Sequence, residues 1–261
     1  MFATSADGSA IYFESTGQGD PALVLVHGWM GNVRWWDAQR DALATRYRVV
    51  ALDLAGHGKS GPARMPGSAG AYAADILAVV RTIDAPRIVL VGHSMSGAYA
   101  ALACPEVAGN ADRLVGLVLV DTLKNLETLP TAEQTDAILA RYRADYPHAV
   151  ANILPKFLFA PTSPPEVVDR LKREFLTVTG DVAAALVEPL YRMDVRAAAR
   201  GVTVPVRGIG SILHGDTAQQ NRAYFADYAY RGLPGCGHYP MLEVPTAFLA
   251  ALEAELSTLG V

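Results

Sequence analysis

The sequence predicts a doubly wound α/β fold, in which a mostly parallel sheet carries helices on both faces. Short runs of consecutive apolar residues alternate with longer stretches of helical periodicity, and Gly or Pro residues bound the apolar runs. Strands that are covered on both faces give continuous rather than alternating apolar runs. Repeated strand–helix–strand units then place helices on both sides of the sheet, because such crossovers are right-handed.

Four apolar runs in the first half of the chain are predicted to be buried strands, at residues 23–26, 47–52, 88–91 and 114–120. Residues 9–14 are expected to add an antiparallel hairpin at the edge of the sheet. Two connecting helices are predicted, one over residues 71–83 and one over residues 96–104 that ends at Pro105. Their apolar residues recur at the spacing of a helix face, which fits helices packed on a sheet.

The pattern changes after Asp121. Residues 122–200 contain no convincing strand and are typical of several amphipathic helices separated by prolines. Strands resume at residues 202–209 and 228–232, and Glu243 is expected to cap the last helix. We therefore predict a core formed by residues 1–121 and 202–261, with a helical cap at 122–201 inserted after the sixth strand. Such an insertion would lie over the carboxyl ends of the strands, where open α/β sheets bind ligands.

The composition excludes several classes of protein. Of 261 residues, 26 are acidic and 22 basic, and 51% are hydrophobic. This balance argues against a disordered chain and against a nucleic-acid-binding protein, which needs an excess of basic residues. No apolar run reaches the length of a membrane span, the first residues do not resemble a signal peptide, and two cysteines are too few for a disulfide framework. We therefore expect a cytoplasmic protein without membrane association.

The segment 88–98 carries the first candidate for chemistry. A buried strand leads into a helix of small residues through a very short turn, and Ser94 lies at the apex. The turn fits the nucleophile pattern G-x-S-x-G, except that Ser96 replaces the last glycine and Gly97 follows. A serine in an ordinary Gly-rich turn is the alternative. The strand before it and the helix after it favour Ser94 as a nucleophile.

A nucleophilic serine needs a base, and His238 is the preferred one of six histidines. It follows the last strand, between Gly237 and a Tyr-Pro pair, on a loop that can reach Ser94. An imidazole titrates near neutral pH and can accept the serine proton and return it to a leaving group. The other histidines fit structural or exposed positions better; they are His27, His57, His93, His148 and His214.

Four motifs, in this order, make the chain resemble the α/β-hydrolase family. They are the loop His27-Gly28-Trp29, the D-x-x-G-x-G-x-S turn at 53–60, the turn around Ser94, and the G-x-G-H-x-P-x-x-E-x-P segment at 235–245. The resemblance covers nearly the whole chain. It implies that the backbone N–H groups of Trp29 and Met95 form an oxyanion hole. The Trp29 side chain is then expected to shape the acyl pocket.

The resemblance implies an acid beside His238 and leaves two candidates for it. Most members carry an Asp after the seventh strand, but that spacing, counted from Pro205, falls on His214, and Asp216 comes two residues late. Some members, including haloalkane dehalogenases, carry the acid after the sixth strand, where Asp121 stands. A carboxylate at the end of an apolar strand is costly unless it is paired. We prefer Asp121 as the acid, with Asp216 as the alternative; Asp121 as a mere cap of the next helix is a third interpretation.

The aromatic residues of the cap suggest the substrate. Most of them should simply pack the cap against the core, while Trp29, Tyr142, Tyr146, Phe157 and Phe159 are expected to line an apolar pocket over Ser94. Few charges are available there to hold an anionic group. The substrate is therefore expected to be a small to medium, neutral and fairly hydrophobic molecule.

The predicted function is that of a serine-dependent carboxylic-ester hydrolase that works through an acyl-enzyme. No metal or cofactor is expected, and the chain should be a monomer or a weak homo-oligomer. The same residues could instead act on a lactone, thioester, amide or carbon–carbon bond, or catalyse perhydrolysis. A small-molecule receptor with vestigial hydrolysis is the alternative outside enzymes, because fold alone does not decide function.

Overall fold

The computed structural model describes residues 1–109, 113–213 and 218–261. The strands of its sheet are β1 (Phe2–Thr4), β2 (Ala10–Thr16), β3 (Ala22–Val26), β4 (Arg48–Leu52), β5 (Ile88–His93), β6 (Leu114–Val120), β7 (Val206–Ser211) and β8 (Tyr228–Leu233). They form one sheet of order β1-β2-β4-β3-β5-β6-β7-β8. The pairs β1–β2 and β2–β4 are antiparallel, and all later pairs are parallel. The predicted α/β fold with an antiparallel edge hairpin is confirmed.

The helices occupy the connections between the strands. In the core they are α1 (Asp37–Leu43), α2 (Ala69–Ile83) and α3 (Met95–Ala108), with a 3-10 helix at Val33–Trp36. Between β6 and β7 lie α4 (Ala132–Ala144), α5 (Tyr146–His148), α6 (Pro155–Leu158), α7 (Pro165–Phe175), α8 (Gly180–Arg192) and α9 (Val195–Arg200), with a π-helix at Ala149–Ile153. The last part of the chain adds α10 (Ala218–Asn221), α11 (Pro240–Glu243) and α12 (Pro245–Thr258). The helical insertion after the sixth strand is thus present, and we call the segment between β6 and β7 the cap.

The strand order places helices on both faces of the sheet. The chain crosses from β3 to β4 in one direction and from β4 to β5 in the other. Because such crossovers are right-handed, α1 and α2 lie on opposite faces. The direction reverses between β3 and β5, and this switch point is where open α/β sheets bind their ligands, beyond the carboxyl ends of the strands.

The register brings the carboxyl ends of the central strands level. Val26 of β3 pairs with Gly92 of β5, and His93 of β5 pairs with Val120 of β6. All residues of β3 and β5 are buried, as their continuous apolar sequences require. The loops that follow β3, β5 and β6 therefore begin side by side at one edge of the sheet.

Local sequence explains where several helices begin. Ser68, Thr131 and Thr179 precede α2, α4 and α8, and the side chain of each accepts a hydrogen bond from a backbone N–H of the first turn. Such caps satisfy N–H groups that have no partner within the helix.

Two predicted boundaries differ from the structure by four residues each. Helix α3 continues through Pro105 to Ala108 instead of ending at the proline. Pro105 has no N–H to donate within the helix, but it lies in the last turns, where its own carbonyl accepts from Gly109 N–H at 3.0 Å. Strand β7 begins at Val206 rather than at residue 202, because Pro205 cannot donate to a sheet ladder.

The composition predicts that the chain has no disulfide framework and no membrane span, and the cysteines and helices can be compared with these two expectations. Cys104 and Cys236 are buried free thiols. Burial raises the pKa of both thiols to about 12, so both are protonated near neutral pH. Among the described helices, none combines the length and the apolar character that a membrane crossing requires.

Candidate active site

Ser94 lies at a strained turn between β5 and α3. Its backbone angles are φ 54° and ψ −127°, a region that non-glycine residues rarely occupy. A Cβ atom at Gly92 would lie 2.6 Å from the carbonyl oxygen of Ser96, so only glycine allows strand and helix to approach this closely. Strained backbone of this kind is typical of functional sites. The turn holds the Ser94 side chain at the start of α3.

Ser96, which departs from the glycine of the family pattern, has a structural role. It is fully buried, and its Oγ donates a hydrogen bond to the carbonyl oxygen of His27. This bond connects the turn at Ser94 with the loop after β3. The substitution therefore adds a contact between two segments of the site and leaves the turn intact.

The structure brings Ser94, His238 and Asp121 into one hydrogen-bonded row. His238 Nε2 lies 2.8 Å from Ser94 Oγ. His238 Nδ1 lies 2.6 Å from Asp121 Oδ2. Ser94 and Asp121 follow the adjacent strands β5 and β6, and His238 reaches them from the loop after β8.

The surroundings of Asp121 keep its carboxylate ionised. Asp121 is 6% exposed, and its Oδ1 accepts from Ser211 N–H and lies 2.7 Å from Lys124 Nζ. Burial alone would raise the pKa of Asp121, but hydrogen bonding and charge from His238 and Lys124 outweigh it and lower the pKa to about 2. An ionised carboxylate accepts only, so His238 carries its proton on Nδ1. Its Nε2 is then free to accept the hydroxyl proton of Ser94.

The sequence left two alternatives, Asp121 as a helix cap and Asp216 as the acid, and the structure describes the residues of only the first. Asp121 does not cap the helix that follows, because α4 begins only at Ala132 and Thr131 is its cap. Asp216, the alternative acid, and His214 lie outside the described residues. Asp121 is the carboxylate that the described structure places within hydrogen-bond distance of His238 Nδ1.

Backbone contacts fix the loop that carries His238. Its N–H donates to the carbonyl of Leu158 at 2.7 Å, and its carbonyl accepts from His93 Nε2 at 2.8 Å. The Glu243 carboxylate accepts from the N–H groups of Gly237 and Tyr239, on both sides of His238. Glu243 was expected to cap the last helix. That expectation is wrong, because the buried carboxylate turns to the loop, and α12 begins without a side-chain cap.

The other histidines among the described residues are not placed to act as the base. Burial lowers the pKa of His27 to about 4 and that of His57 and His93 to about 3, so all three are neutral near pH 7. His93 Nε2 donates to the His238 carbonyl, and His27 Nδ1 donates to the carbonyl of Gly28. His148 is exposed on the cap.

The predicted oxyanion donors, Trp29 and Met95, both border the cavity that contains Ser94. Within the described ranges, neither backbone N–H donates to a protein acceptor. Met95 is the first residue of α3, so the partial positive charge of the helix N-terminus adds to its N–H. Two free N–H groups beside a serine hydroxyl suit an oxygen that gains negative charge.

A cavity of about 460 Å³ lies between the cap and Ser94. Of the predicted pocket residues, Trp29, Tyr142 and Phe157 line it, whereas Tyr146 and Phe159 do not. Tyr146 instead packs edge-on against Trp29, with ring centroids 6.3 Å apart, and Phe159 packs against Tyr239. These two rings lie behind the wall and support it.

The cavity has further lining residues beyond the five predicted pocket residues. The apolar ones are Ile138, Ile153, Leu154, Leu158, Val187 and Leu190, together with the rings of Tyr191 and Tyr239. Arg141 also borders the cavity, although few charges were expected there. Arg141 and Tyr142 lie three and four residues after Ile138, so all three border the same face of α4. This spacing is the sequence signal that could have identified Arg141 as a lining residue.

The Trp29 side chain is held by the cap. Its ring stacks on Tyr142 with centroids 5.4 Å apart, and its Nε1 donates to the carbonyl of Ala183 at 3.0 Å. The indole therefore fixes the cap over the site and forms part of the wall.

In the ranges that the structure describes, no group of three or more His, Cys, Asp or Glu side chains is arranged to hold a metal ion.

Comparison with known proteins agrees with this architecture. A pimeloyl-[acyl-carrier protein] methyl ester esterase from Nitrosospira multiformis is 27% identical over 258 residues, which cover 92% of this chain and 96% of that protein. A dihydrolipoyllysine-residue acetyltransferase component of an acetoin cleaving system from Pseudomonas putida is 40% identical over 110 residues, or 42% of this chain and 29% of that protein. For that relative and four others, the chain spans between 29% and 49% of their length.

A solved structure shows the same fold over the full length. The thermophilic esterase from Thermogutta terrifontis, in its malate-bound form, matches with a TM-score of 0.83 and 24% identity, and the match covers 100% of this chain and 99% of that one. The model of the alpha/beta hydrolase family matches residues 23–252. This range contains Ser94, Asp121 and His238. The chain belongs to the alpha/beta hydrolase family.

Proposed function

We propose that the protein is a serine-dependent hydrolase of carboxylic esters, with Ser94 as nucleophile, His238 as base and Asp121 as acid. One observation carries the proposal. The Ser94 hydroxyl lies 2.8 Å from a nitrogen of His238, whose other ring nitrogen lies 2.6 Å from a buried carboxylate, and Ser94 and His238 both line a largely apolar cavity. This arrangement is the one that acyl transfer through a serine requires.

The reaction runs in two halves. Ser94 Oγ attacks the acyl carbon while His238 Nε2 takes its proton, and the oxygen that gains charge is held by the N–H groups of Trp29 and Met95. The bond to the alcohol oxygen then breaks, and the proton on His238 passes to the departing alkoxide. Water then attacks the acyl carbon while His238 takes one of its protons. The bond between the acyl carbon and Ser94 Oγ breaks, and the proton on His238 passes to Ser94 Oγ, which releases the acid and restores the serine. Asp121 stabilises the imidazolium in both halves.

The cavity supports a small to medium, uncharged and fairly hydrophobic acyl group. Its wall is built from aliphatic and aromatic side chains, and apolar walls with few polar groups are usual for small-molecule sites. The relative from Nitrosospira multiformis is named for the hydrolysis of a methyl ester. The bond that we propose for this chain is of that kind.

The experiment is a series of p-nitrophenyl esters with acyl chains of increasing length. We expect multiple turnovers with a preference for short or medium chains, and covalent labelling of the enzyme by a fluorophosphonate. Ser94→Ala should abolish labelling and lower kcat by about 10⁴-fold or more. Ser257→Ala, at an exposed serine of α12, is the control and should leave both unchanged.

Other outcomes would assign a different function. The enzyme could turn over no simple ester but act on a lactone, thioester, amide or ring-fission diketone. The same three residues would then catalyse the cleavage of a different bond. Peracid formation from an acid and hydrogen peroxide would indicate perhydrolysis. Stoichiometric labelling without multiple turnover would indicate a receptor with vestigial hydrolysis.

A further inference from the structure

Three consecutive backbone N–H groups, those of residues 237–239, all donate hydrogen bonds. Their acceptors are a carboxylate and a backbone carbonyl. Gly237 and Tyr239 donate to the two oxygens of Glu243, at 2.7 and 2.8 Å. His238 donates to the carbonyl of Leu158, which belongs to the cap, at 2.7 Å. The loop at residues 237–239, which we call the histidine loop, is thus fixed by one carboxylate of the core and one carbonyl of the cap.

The same carboxylate also reaches the cap. Ser163, which is 9% exposed, lies in the cap segment between α6 and α7, and its hydroxyl donates to Glu243 Oε2. The Ser163 hydroxyl oxygen also accepts from Ala160 N–H at 2.9 Å, which orders this segment. Glu243 is 5% exposed and therefore connects the histidine loop to the cap within the protein interior.

The two backbones touch directly at Gly237. A Cβ atom at this position would lie 2.8 Å from the nitrogen of Ala160 and closer still to the carbonyl oxygen of Leu158. No side chain fits between the loop and the cap. A displacement of the cap segment 158–163 towards the loop would therefore press on the backbone at Gly237, next to His238.

We propose that Glu243 is a positioning residue for His238, and that its bond to Ser163 makes the alignment of His238 depend on the seating of the cap segment. The proposal rests on the proposed function, in which His238 is the base. A general base must lie within hydrogen-bond reach of the proton that it takes. When the cap is seated, Leu158 and Glu243 fix all three N–H groups of the loop. When the cap segment moves away, the loop loses the Leu158 and Ser163 contacts together.

Glu243→Gln tests the positioning role. The amide keeps the size of the side chain but has only one acceptor oxygen. Its NH₂ group would face a backbone N–H, from which it cannot accept a hydrogen bond. A misplacement of a catalytic group by a distant change can cost about 10²-fold, and we expect kcat to fall by about 10- to 100-fold with KM changed less than about threefold. Glu255→Gln is the matched control, because Glu255 is equally buried at 5% exposed but lies on α12 and pairs with Arg231 of β8. It should leave kcat unchanged even if it lowers stability.

Ser163 tests the connection to the cap. Ser163→Ala leaves both N–H bonds to Glu243 in place and removes the cap contact, so kcat should fall by a smaller factor, about three- to tenfold. Ser163→Thr keeps the hydroxyl and should restore most of the loss. These two variants decide the proposal if Glu243→Gln does not fold.

A second readout does not depend on ester hydrolysis. The low-field proton resonance of His238 Nδ1–H reports its hydrogen bond to Asp121, and it should shift or broaden in Glu243→Gln but not in Glu255→Gln. If the wild type hydrolyses no ester and the resonance still responds in this way, the proposed function fails and the positioning role stands. Unchanged kcat and an unchanged resonance in both Glu243→Gln and Ser163→Ala would overturn the inference.

Discussion

Asp121 Oδ2 lies 2.6 Å from His238 Nδ1, although 117 positions separate the two residues in the chain. Asp121 follows β6, the strand between β5 and β7, and its N–H donates to Ile209 of β7 at 2.8 Å. Its backbone φ is 46°, in the left-handed region, so the chain turns sharply there. An acid at this place sits next to Ser94, which follows the neighbouring strand.

Replacement of this acid should nearly abolish activity. Asp121→Asn preserves the shape but removes the charge that stabilises the imidazolium and fixes its tautomer, so we expect kcat on p-nitrophenyl butyrate to fall by about 10⁴-fold. Asp216→Asn, at the alternative acid, should reduce kcat by less than about threefold. A larger loss from the second variant than from the first would transfer the role to Asp216.

Ser96 offers a separate test of the turn at Ser94. Ser96→Ala removes the hydroxyl that donates to His27 and leaves a buried carbonyl without this partner, which costs about 1–3 kcal/mol in the free energy of unfolding. Urea denaturation measures that change. Because the lost bond joins the turn to the loop that carries Trp29, kcat should also fall, by about two- to tenfold. An unaltered kcat together with lower stability would restrict Ser96 to a structural role.

The sequence predicts the fold well because each strand is a continuous apolar run, and such runs indicate buried parallel strands without knowledge of their neighbours. Ser94 and His238 were singled out from short motifs, and the structure places them within hydrogen-bond distance. Their catalytic roles remain predictions. The contact between Asp121 and His238 follows from the order of the strands, which motifs alone do not give.

Contacts to backbone groups were not predictable in the same way. Glu243 lies two residues before Pro245 and an apolar helix, and a proline at the first helical position indicates a helix start, which suggests a capping role for the carboxylate. Its partners are N–H groups of Gly237 and Tyr239, which any residue except proline would supply, so no residue type marks them. Phe159 is predicted to line the pocket as an aromatic residue of the cap, but its ring packs against Tyr239 instead.

Three buried neutral histidines should make the protein sensitive to acid. The pKa of His27 is lowered to about 4, and those of His57 and His93 to about 3, by burial in each case. Between pH 6.5, the ordinary value, and about 4, the unfolded chain binds protons that the folded chain does not. The free energy of unfolding should therefore fall with falling pH across this window, by up to about 1.4 kcal/mol per pH unit for each histidine.

Urea denaturation at several pH values measures this slope. His57→Gln should reduce it by about one third, because one of three groups is removed. His148→Gln, at an exposed position on the cap, is the control and should leave the slope unchanged. Equal slopes in the wild type and in His57→Gln would mean that His57 does not remain neutral in the folded protein.

Arg141 tests whether the substrate is uncharged. Its side chain borders the cavity but is exposed, and a solvated charge at such a position contributes about 0–1 kcal/mol to a contact. For p-nitrophenyl butyrate we therefore expect Arg141→Gln to change kcat/KM by less than about fivefold. Arg143→Gln, two positions along α4 at an arginine that pairs with Glu188, is the matched control and should behave alike. The decisive comparison adds the p-nitrophenyl monoester of succinate, which carries a carboxylate at the far end of the acyl chain. If the wild type prefers this ester and Arg141→Gln alone removes the preference, the cavity selects an anionic acyl chain, and the proposal of a neutral substrate is wrong.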